Sequence, residues 1–534
     1  MNDKTLFRLA DHAAAEALVD GWVAWPHVFS PVPYSLHMAN YQAKTLASYL
    51  QNREIHVKSS RDPKLLGGPF VDIPTHRAAE VRALLNQLEQ EHAAQLELAR
   101  VLTEFQNTLV AEAKGQGINA FYQQIPEPLG GYVELVYDYF SRPHVRCLES
   151  LFYASPHYKK HLQSLSLFSQ ARDDSRAYYM STPRLPEPDR IEWRVPFESE
   201  SIDAFFSSEH MPKPLGQIRE VLGLDSSDEE RLLPLLTRQP PRIASPWTEN
   251  KVRVRYFGHA SVLVECNGVS ILTDPFIPVI PRDGGIDRYS FGDLPERIDF
   301  VLISHGHHDH FVFESLLRLR RRIGCLVVPR NSGLFYGDIS LKLMAQQIGF
   351  RDVREIDALD SISFPGGEIV GSPFFGEHSD LPHAKSGYIV RFGDERILFA
   401  ADSNCLDPRT YRHVRRILGP IRTVFLGMEF IGAPLSWVYG PLLPVQPPHS
   451  HSMSRRSNGS DAKGALALLD AVGAERVYVY AIGREPWLKY FMALTPEEGD
   501  PYIQESDKVL EAARAKGFKD ARRPYGKLEF HLDA

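Results

Sequence analysis

The amino-acid sequence predicts an α/β domain that follows a helix-rich α+β region, and three features carry that prediction. Beyond residue 250, short apolar strand patterns alternate with helical patterns. In residues 77–113, apolar residues recur three and four positions apart, which is typical of a helix. Between the two regions, residues 238–251 contain three prolines and no apolar period, as a linker does. We therefore predict two domains, residues 1–245 and residues 246–534.

The composition is that of a folded protein and argues against two functional classes. The 534 residues include 60 Lys and Arg and 67 Asp and Glu, which gives a formal net charge of −7. Because nucleic-acid-binding proteins usually carry an excess of positive charge, a nucleic-acid partner is not expected. Hydrophobic residues make up 43% and charged residues 24%, which is close to an ordinary globular protein. No uninterrupted apolar stretch approaches the roughly 18 residues of a membrane-spanning helix, so no membrane partner is expected either.

The cysteines and the N-terminus predict a cytoplasmic location. The chain has four scattered cysteines, too few for a disulfide framework, at positions Cys147, Cys266, Cys325 and Cys405. Such a composition fits a reducing compartment. The N-terminus also lacks the basic start and apolar run that make up a secretory signal.

The elements of the second region follow one another in a clear order. Residues 252–257 alternate apolar and polar side chains, and residues 261–266 and 269–273 flank an Asn267–Gly268 hairpin signal. Residues 300–304 form a short apolar run, which is typical of a strand buried on both faces. The remaining patterns predict a helix at 313–322, strands at 325–328, 387–392, 396–400 and 423–426, a helix at 461–472 and a strand at 476–480.

The strongest chemical signal is the segment directly after the strand at 300–304. It contains four potential metal ligands within six residues: His305, His307, Asp309 and His310. They cannot all bind one tetrahedral ion, but they can serve two adjacent ions, the first two residues on one and the last two on the other. Imidazole suits zinc or iron, and carboxylate favours a harder ion. The segment therefore predicts a dinuclear metal site at the end of a buried strand.

This His-x-His-x-Asp-His pattern resembles the signature of the metallo-β-lactamase superfamily. Residues 258–261 (Gly-His-Ala-Ser) and 272–275 (Leu-Thr-Asp-Pro) support the resemblance, which covers roughly residues 250–530. It implies an αββα sandwich, with two mixed sheets face to face, helices outside and a dinuclear site along one edge. Within it, Asp274 either orients a ligand histidine or caps a turn.

Further positions make the chain similar to one branch of that superfamily. Asp402 lies just past a strand and is the expected bridging carboxylate. A final histidine is expected after the strand at 476–480, but the chain has Ala481 there, followed by Ile-Gly-Arg-Glu-Pro-Trp. This segment, the Glu377–His378 pair and the N-terminal extension resemble the diiron β-hydroxylases of non-ribosomal peptide antibiotic biosynthesis, a branch that includes the chloramphenicol pathway.

The branch implies a complete set of ligands. They are His305, His307 and Glu377 on one iron, Asp309 and His310 on the other, and Asp402 shared between the two. Glu377 takes the place of a histidine of the zinc hydrolases and is the residue expected to decide the catalytic chemistry. A hard anionic donor favours oxidised iron, whereas zinc has no redox chemistry. His378 remains a rival ligand, and His308 is expected to face away from the metals.

The resemblance implies an O2-dependent diiron monooxygenase that hydroxylates the β-carbon of an aminoacyl group. The group is carried as a thioester on the phosphopantetheine arm of a non-ribosomal peptide synthetase carrier (thiolation) domain. The cofactors implied are two iron ions, with O2 as co-substrate and an external electron donor. The resemblance also implies a homodimer, with residues 1–245 as a capping and dimerisation domain and residues 246–534 as the catalytic domain. The alternative hypothesis is a dinuclear zinc hydrolase of the same superfamily. A scaffold with a vestigial site is a weaker third hypothesis, because the ligand segment is intact.

Two weaker features leave alternatives open. Four arginines, at 318 and 320–322, lie where a predicted helix ends. They are either favourable cations at a helix C-terminus or a docking patch for an acidic partner. His449 and His451 lie two residues apart in a predicted loop and are either surface residues or a second metal site.

Overall fold

A computed structural model describes residues 5–376, 383–493 and 495–533. The N-terminal region combines small sheets with helices, as predicted. Its strands are Leu6–Leu9, Ala13–Val19, Trp22–Val23, Val133–Tyr137, Pro143–Cys147, Gln163–Ser169, Ile191–Arg194, Lys213–Pro214 and Leu236–Thr237. Its α-helices are Pro26–Phe29, Pro31–His37, Ala43–Gln51, Arg53–Ser60, Ala78–Glu91, Ala93–Glu112, Glu149–Tyr153, Glu200–Phe206, Leu215–Leu222 and Glu229–Leu232.

The long helix expected over residues 77–113 is two helices with a break at His92. The backbone of His92 leaves the helical region, with φ −114° and ψ 23°. Its buried imidazole lies 2.9 Å from the Asp20 carboxylate, a contact that fixes the ring in the interior. A tertiary contact to a distant residue therefore interrupts a helical pattern that is continuous in the sequence.

The catalytic region contains two seven-stranded mixed sheets. In spatial order, the first consists of Val353–Ile356, Ile323–Pro329, Ile298–Leu302, Val269–Thr273, Ser261–Cys266, Lys251–Gly258 and Leu528–Asp533. The second consists of Ser361–Phe364, Gly367–Ser372, Gly387–Phe392, Glu395–Phe399, Thr423–Gly427, Arg476–Tyr480 and Asp520–Arg522. Each sheet is antiparallel on one side and parallel on the other, so carboxyl ends of parallel strands share one edge of the sandwich.

Side chains of both sheets form the core between them. Stacked rings cross this core, with centroids 4.7 Å apart between Phe425 and Tyr478 and 4.5 Å apart between Tyr478 and Phe530. The helices of this region are Phe313–Leu319, Leu341–Gln347, Pro408–Leu418, Leu435–Val438, His449–Ser454, Ala462–Val472, Lys489–Met492 and Pro501–Ala515. The alternating elements and the two sheets confirm the α/β, metallo-β-lactamase-type sandwich, and every predicted strand of this region is present.

The N-terminal region packs on the outer face of the first sheet. One continuous core joins Phe29 and Phe197 of the N-terminal region to Phe313 of the sandwich, with ring centroids 5.1–6.0 Å apart. The domain boundary at residue 245 remains a prediction. It falls between the strands Leu236–Thr237 and Lys251–Gly258.

Three of the four arginines at 318 and 320–322 belong to this packing rather than to a docking patch. Arg318, Arg320 and Arg322 are buried. Arg318 donates to Glu209 at 2.6 Å and Arg320 donates to Asp203 at 2.9 Å, whereas Arg322 donates to backbone carbonyls. The docking hypothesis is therefore wrong for these three residues, because their guanidinium groups are occupied inside the protein.

Within the three described stretches, no helix is long and apolar enough to cross a membrane. His449 and His451 are exposed, on a short helix rather than a loop. They belong to neither of the metal-ligand groups that the described residues form.

Candidate metal centre

Two groups of potential metal ligands meet at the edge of the sandwich where the parallel strands end. His305, His307 and Asp402 form one group, and His259, Asp309 and His310 form the other. Within each group, one ligand atom per residue lies within 4.8 Å of the others, and all six residues are buried. We call them the first and the second half-site.

The second half-site is held by hydrogen bonds within the sandwich. His310 Nδ1 lies 2.9 Å from Asp274 Oδ2, which orients the ring and fixes its proton on that nitrogen. Asp274 is itself held by Ser304, whose backbone N–H and hydroxyl each donate to it at 2.7 Å. Of its two possible roles, orienting a ligand histidine is therefore the one that the geometry supports.

His259 is a member of the second half-site that the sequence did not identify. It lies in the hairpin turn between two strands of the first sheet, in a left-handed conformation with φ 50°. Its Nε2 is 2.9 Å from Asp309 Oδ2. Positive φ is costly for a residue with a side chain and is often kept at functional sites. The Gly258–Ser261 hairpin was noted in the sequence, but only as a sign of the fold.

The first half-site is held partly from outside the two sheets. His307 Nε2 lies 2.9 Å from the hydroxyl of Tyr439. Tyr439 follows the short helix Leu435–Val438 and is buried with it in a core shared with N-terminal helices. No sequence pattern marked Tyr439, because nothing in its surroundings predicts a contact with residue 307.

Asp402 lies between the half-sites. Its Oδ2 atom is 3.5 Å from His305 Nε2 and 3.1 Å from His310 Nε2. Ligands that lie about 2.1 Å from one ion and at right angles to each other are about 3 Å apart. His310 Nε2 is fully enclosed and makes no hydrogen bond with the described residues. The 3.1 Å separation between Asp402 and His310 is one that two ligands of a single ion can have.

The electrostatics of the site also favour cations. Burial lowers the pKa of His310, but Asp402, Asp309 and Asp274 outweigh it and hold that pKa well above its usual value. Burial raises the pKa of Asp309, but the neighbouring histidines hold it well below its usual value. Three carboxylates therefore converge on a buried region where they stabilise positive charge.

Two predicted positions lie outside the described residues, Glu377 and its rival His378. The chain approaches them beside Asp402, because the Phe375 N–H donates to Ser403 Oγ at 3.0 Å and the Phe375 carbonyl accepts from the Asn404 N–H at 2.8 Å. His308 packs against Tyr179 and Phe491, with centroids 4.9 and 5.7 Å away, and belongs to neither half-site.

The end of the strand Arg476–Tyr480 carries no ligand among the described residues. Ala481 stands there and donates its N–H to the His259 carbonyl. Glu485, four residues further along the chain, is buried and accepts a hydrogen bond of 2.5 Å from Tyr256. Its carboxylate belongs to neither half-site.

Comparisons with known proteins decide the family. The chain is 33% identical, over 518 residues, to a 4-amino-L-phenylalanyl-[CmlP-peptidyl-carrier-protein] 3-hydroxylase of Streptomyces venezuelae, covering 96% of this chain and 97% of the relative. The chain belongs to the diiron non-heme β-hydroxylases. The model of their N-terminal domain matches residues 8–240 of this β-hydroxylase, and a β-lactamase superfamily domain matches residues 253–398.

Solved structures agree with this assignment. The match to the crystal structure of CmlA, a diiron β-hydroxylase from Streptomyces venezuelae, covers 99% of this chain and 100% of the CmlA chain, with a TM-score of 0.91 and 32% identity. By contrast, a hydrolase relative matches only a small part of the chain. A metal-dependent hydrolase of Flavobacterium johnsoniae is 26% identical over 141 residues, which are 24% of this chain and 60% of the hydrolase. This β-hydroxylase is therefore an enzyme whose family cofactor is a pair of iron ions.

Proposed function

We propose that this enzyme uses O2 to hydroxylate the β-carbon of an aminoacyl group carried as a thioester on a non-ribosomal peptide synthetase carrier domain. The observation that carries the proposal is the meeting of two ligand groups at Asp402. The proposed substrate is supported by the relative that covers 96% of this chain, whose name gives an aminoacyl group on a peptidyl carrier protein as its substrate. Which amino acid is carried does not follow from these residues.

The ligand assignment is part of this proposal. His305, His307 and Glu377 would hold one iron, Asp309 and His310 would hold the other, and Asp402 would be shared between them. The distances of Asp402 from His305 and His310 support this set, and so does the grouping of His307 and Asp309 with these residues. The assignment of Glu377 is supported by the hydrogen bonds of Phe375 to Ser403 and Asn404, which follow Asp402 in the chain.

The protein's own groups set the protonation and the orientation of the ligands. Asp274 keeps the proton of His310 on Nδ1 and leaves Nε2 for a metal. Tyr439 contacts Nε2 of His307 and so helps to set the orientation of this ring. Both half-sites are buried, which limits access of bulk water. Two iron ions held here supply the redox chemistry that O2 activation needs, with electrons from an external donor.

The zinc-hydrolase alternative is less well supported. A hydrolase needs a metal-bound hydroxide and no electron donor. Glu377, Asp309 and Asp402 give the proposed set three carboxylates, and hard oxygen donors favour iron over a zinc site of imidazoles. Elemental analysis and an optical spectrum of the purified protein separate the two hypotheses. Two irons per chain with a near-ultraviolet charge-transfer band support the proposal, and stoichiometric zinc with hydrolytic turnover contradicts it.

We also propose a cytoplasmic homodimer. The four cysteines are free, which supports a reducing compartment. The hairpin tip between Val133–Tyr137 and Pro143–Cys147 exposes Tyr139 and Phe140, at 104% and 76% of their full accessible surface. Exposed aromatic side chains of this kind are typical of interfaces. Analytical ultracentrifugation of a Tyr139→Ser, Phe140→Ser variant tests the dimer: a monomer supports contact through this tip, and an unchanged dimer excludes it.

A further inference from the structure

Asp338 is a buried carboxylate at the metal edge of the sandwich that belongs to neither half-site. It lies in the loop at 330–340, between the strand Ile323–Pro329 and the helix Leu341–Gln347. That strand pairs in parallel with Ile298–Leu302, so the loop leaves the sheet at the same edge as the ligand segment. A buried carboxylate is costly unless hydrogen bonds compensate its charge. Its partners therefore indicate what it does.

Four hydrogen bonds hold the Asp338 carboxylate, two on each oxygen. Oδ1 accepts the backbone N–H groups of His383 and Ala384, at 2.8 and 2.9 Å. Oδ2 accepts the backbone N–H and the hydroxyl of Ser332, at 2.6 and 2.5 Å. Hydrogen bonds to an ionised acceptor are among the stronger ones in proteins. The carboxylate thus joins its own loop to a segment that is distant in the sequence.

That segment, residues 383–386, contacts the ligand segment directly. Lys385 forms an antiparallel β-bridge with His305. The Ser386 N–H donates to the Ser304 carbonyl at 2.8 Å. His305 is one of the proposed ligands of the first half-site. Its backbone is therefore placed by a segment whose first two N–H groups are bound to the buried carboxylate.

The N-terminal region holds the same loop from the other side. Glu149 accepts a hydrogen bond from the Ser340 N–H at 2.9 Å and one from the Ser30 hydroxyl at 3.2 Å. Burial raises the pKa of Glu149 to about 7, and the nearby charge of Asp338 contributes to the rise. Two carboxylates held near each other cost stability, as arrangements at functional sites often do. The loop is thus fixed between the N-terminal region and the metal edge.

We propose that Asp338 is a positioning residue of the first half-site, which holds residues 383–386 against the ligand segment and so fixes the place of His305. The inference rests on the proposed function, because it assumes that His305 binds an ion. It assigns a role to a residue that touches no ligand side chain. It also gives the N-terminal region a second route to the first half-site, in addition to Tyr439.

Anaerobic titration of the metal-free enzyme with Fe²⁺ tests this role. Asp338→Asn keeps the size of the side chain, but its amide nitrogen donates where a carboxylate oxygen accepted. We expect the affinity of one of the two binding steps to fall about tenfold, the lower end of the effect of losing a group that orients a ligand, and the other step to stay unchanged. Ser332→Ala removes one of the four hydrogen bonds and should weaken the same step by less.

Asp299→Asn is a matched control for this substitution. Asp299 accepts from the backbone N–H and the hydroxyl of Ser270, at 2.9 and 3.1 Å, as Asp338 does from Ser332. It lies at the opposite end of the strand Ile298–Leu302 from the ligand segment. Both variants should lower the thermal stability, which is the effect of a purely structural role. We expect Asp338→Asn alone to change metal binding.

The outcomes separate this inference from the proposed function. Unchanged affinities in both Asp338→Asn and Ser332→Ala overturn the inference, and so does an equal loss at both steps. In the background of His310→Ala, which removes a ligand of the second half-site, Asp338→Asn should still weaken the remaining step, and no further loss there also overturns it. If one step weakens as expected but the enzyme hydrolyses its substrate, the inference stands and the proposed function fails. If the enzyme hydroxylates a loaded carrier and neither step changes, only the inference fails.

Discussion

The two half-sites differ in what holds them. The second is supported from within the sandwich, where Asp274 and Ser304 orient His310 and the hairpin residue His259 contacts Asp309. The first depends on Tyr439, which is buried in a core shared with the N-terminal helices. The second half-site is therefore held by contacts within the sandwich, whereas packing against the N-terminal helices also helps to hold the first.

We expect the largest effect from the removal of Asp402, the residue that joins the two half-sites. Asp402→Ala takes away a carboxylate oxygen that is 3.1 Å from His310 Nε2 and 3.5 Å from His305 Nε2. We expect both ions to bind at least about 100-fold more weakly, beyond the effect of losing an outer partner. Metal titration followed by elemental analysis measures this. Asp407→Ala, an exposed helix cap nearby, is the control, and loss of only one ion in Asp402→Ala would show that the residue is not shared.

Glu377→His should change the first half-site alone. Exchanging the carboxylate for imidazole softens the ligand set, so the metal preference moves toward zinc and oxygenation is lost. The ratio of zinc to iron after competitive loading measures the change, and His378→Ala, which should keep both iron and activity, is its control. Unchanged oxygenase activity in Glu377→His would count against the role of Glu377, and loss of iron in His378→Ala would favour the rival ligand.

His259→Ala should affect the second half-site and spare the first. His259 belongs to the second half-site but not to the proposed iron ligands, and its Nε2 contacts Asp309 Oδ2 at 2.9 Å. Loss of a group that orients a ligand in this way lowers metal affinity about 10- to 100-fold. In a calorimetric metal titration, the affinity of one of the two binding steps should decrease. His531→Ala, on an edge strand away from the site, should leave both steps unchanged. Equal weakening of both steps would remove the distinction between the half-sites.

Tyr439→Phe should give the smallest effect, confined to the first half-site. The ring stays in its core and the hydroxyl contact with His307 is lost, so we expect about a tenfold decrease in affinity for one ion. The same titration measures it. Tyr336→Phe removes another tyrosine hydroxyl, which donates to the Leu442 carbonyl, and should not change metal binding. A larger effect on the second ion than on the first would contradict the proposed division of support.

Much of the fold and part of the site could be predicted from the sequence. Buried strands and the ligand segment after Leu302 carry local patterns, so the sandwich and His305–His310 were identified. The break at His92, the burial of Arg318 and the contacts of His259 and Tyr439 were not. Each of these depends on a partner far away in the chain. A pattern of neighbouring residues does not identify such a partner.

The central claim is that the centre activates O2 rather than water, and isotopically labelled O2 tests it most directly. The iron-loaded enzyme is supplied with an electron donor and an aminoacyl-loaded carrier domain, and the product is analysed by mass spectrometry. We predict one labelled oxygen atom on the β-carbon of the aminoacyl group, with the thioester intact. A released amino acid that contains oxygen from water, with no label from O2, would contradict the account.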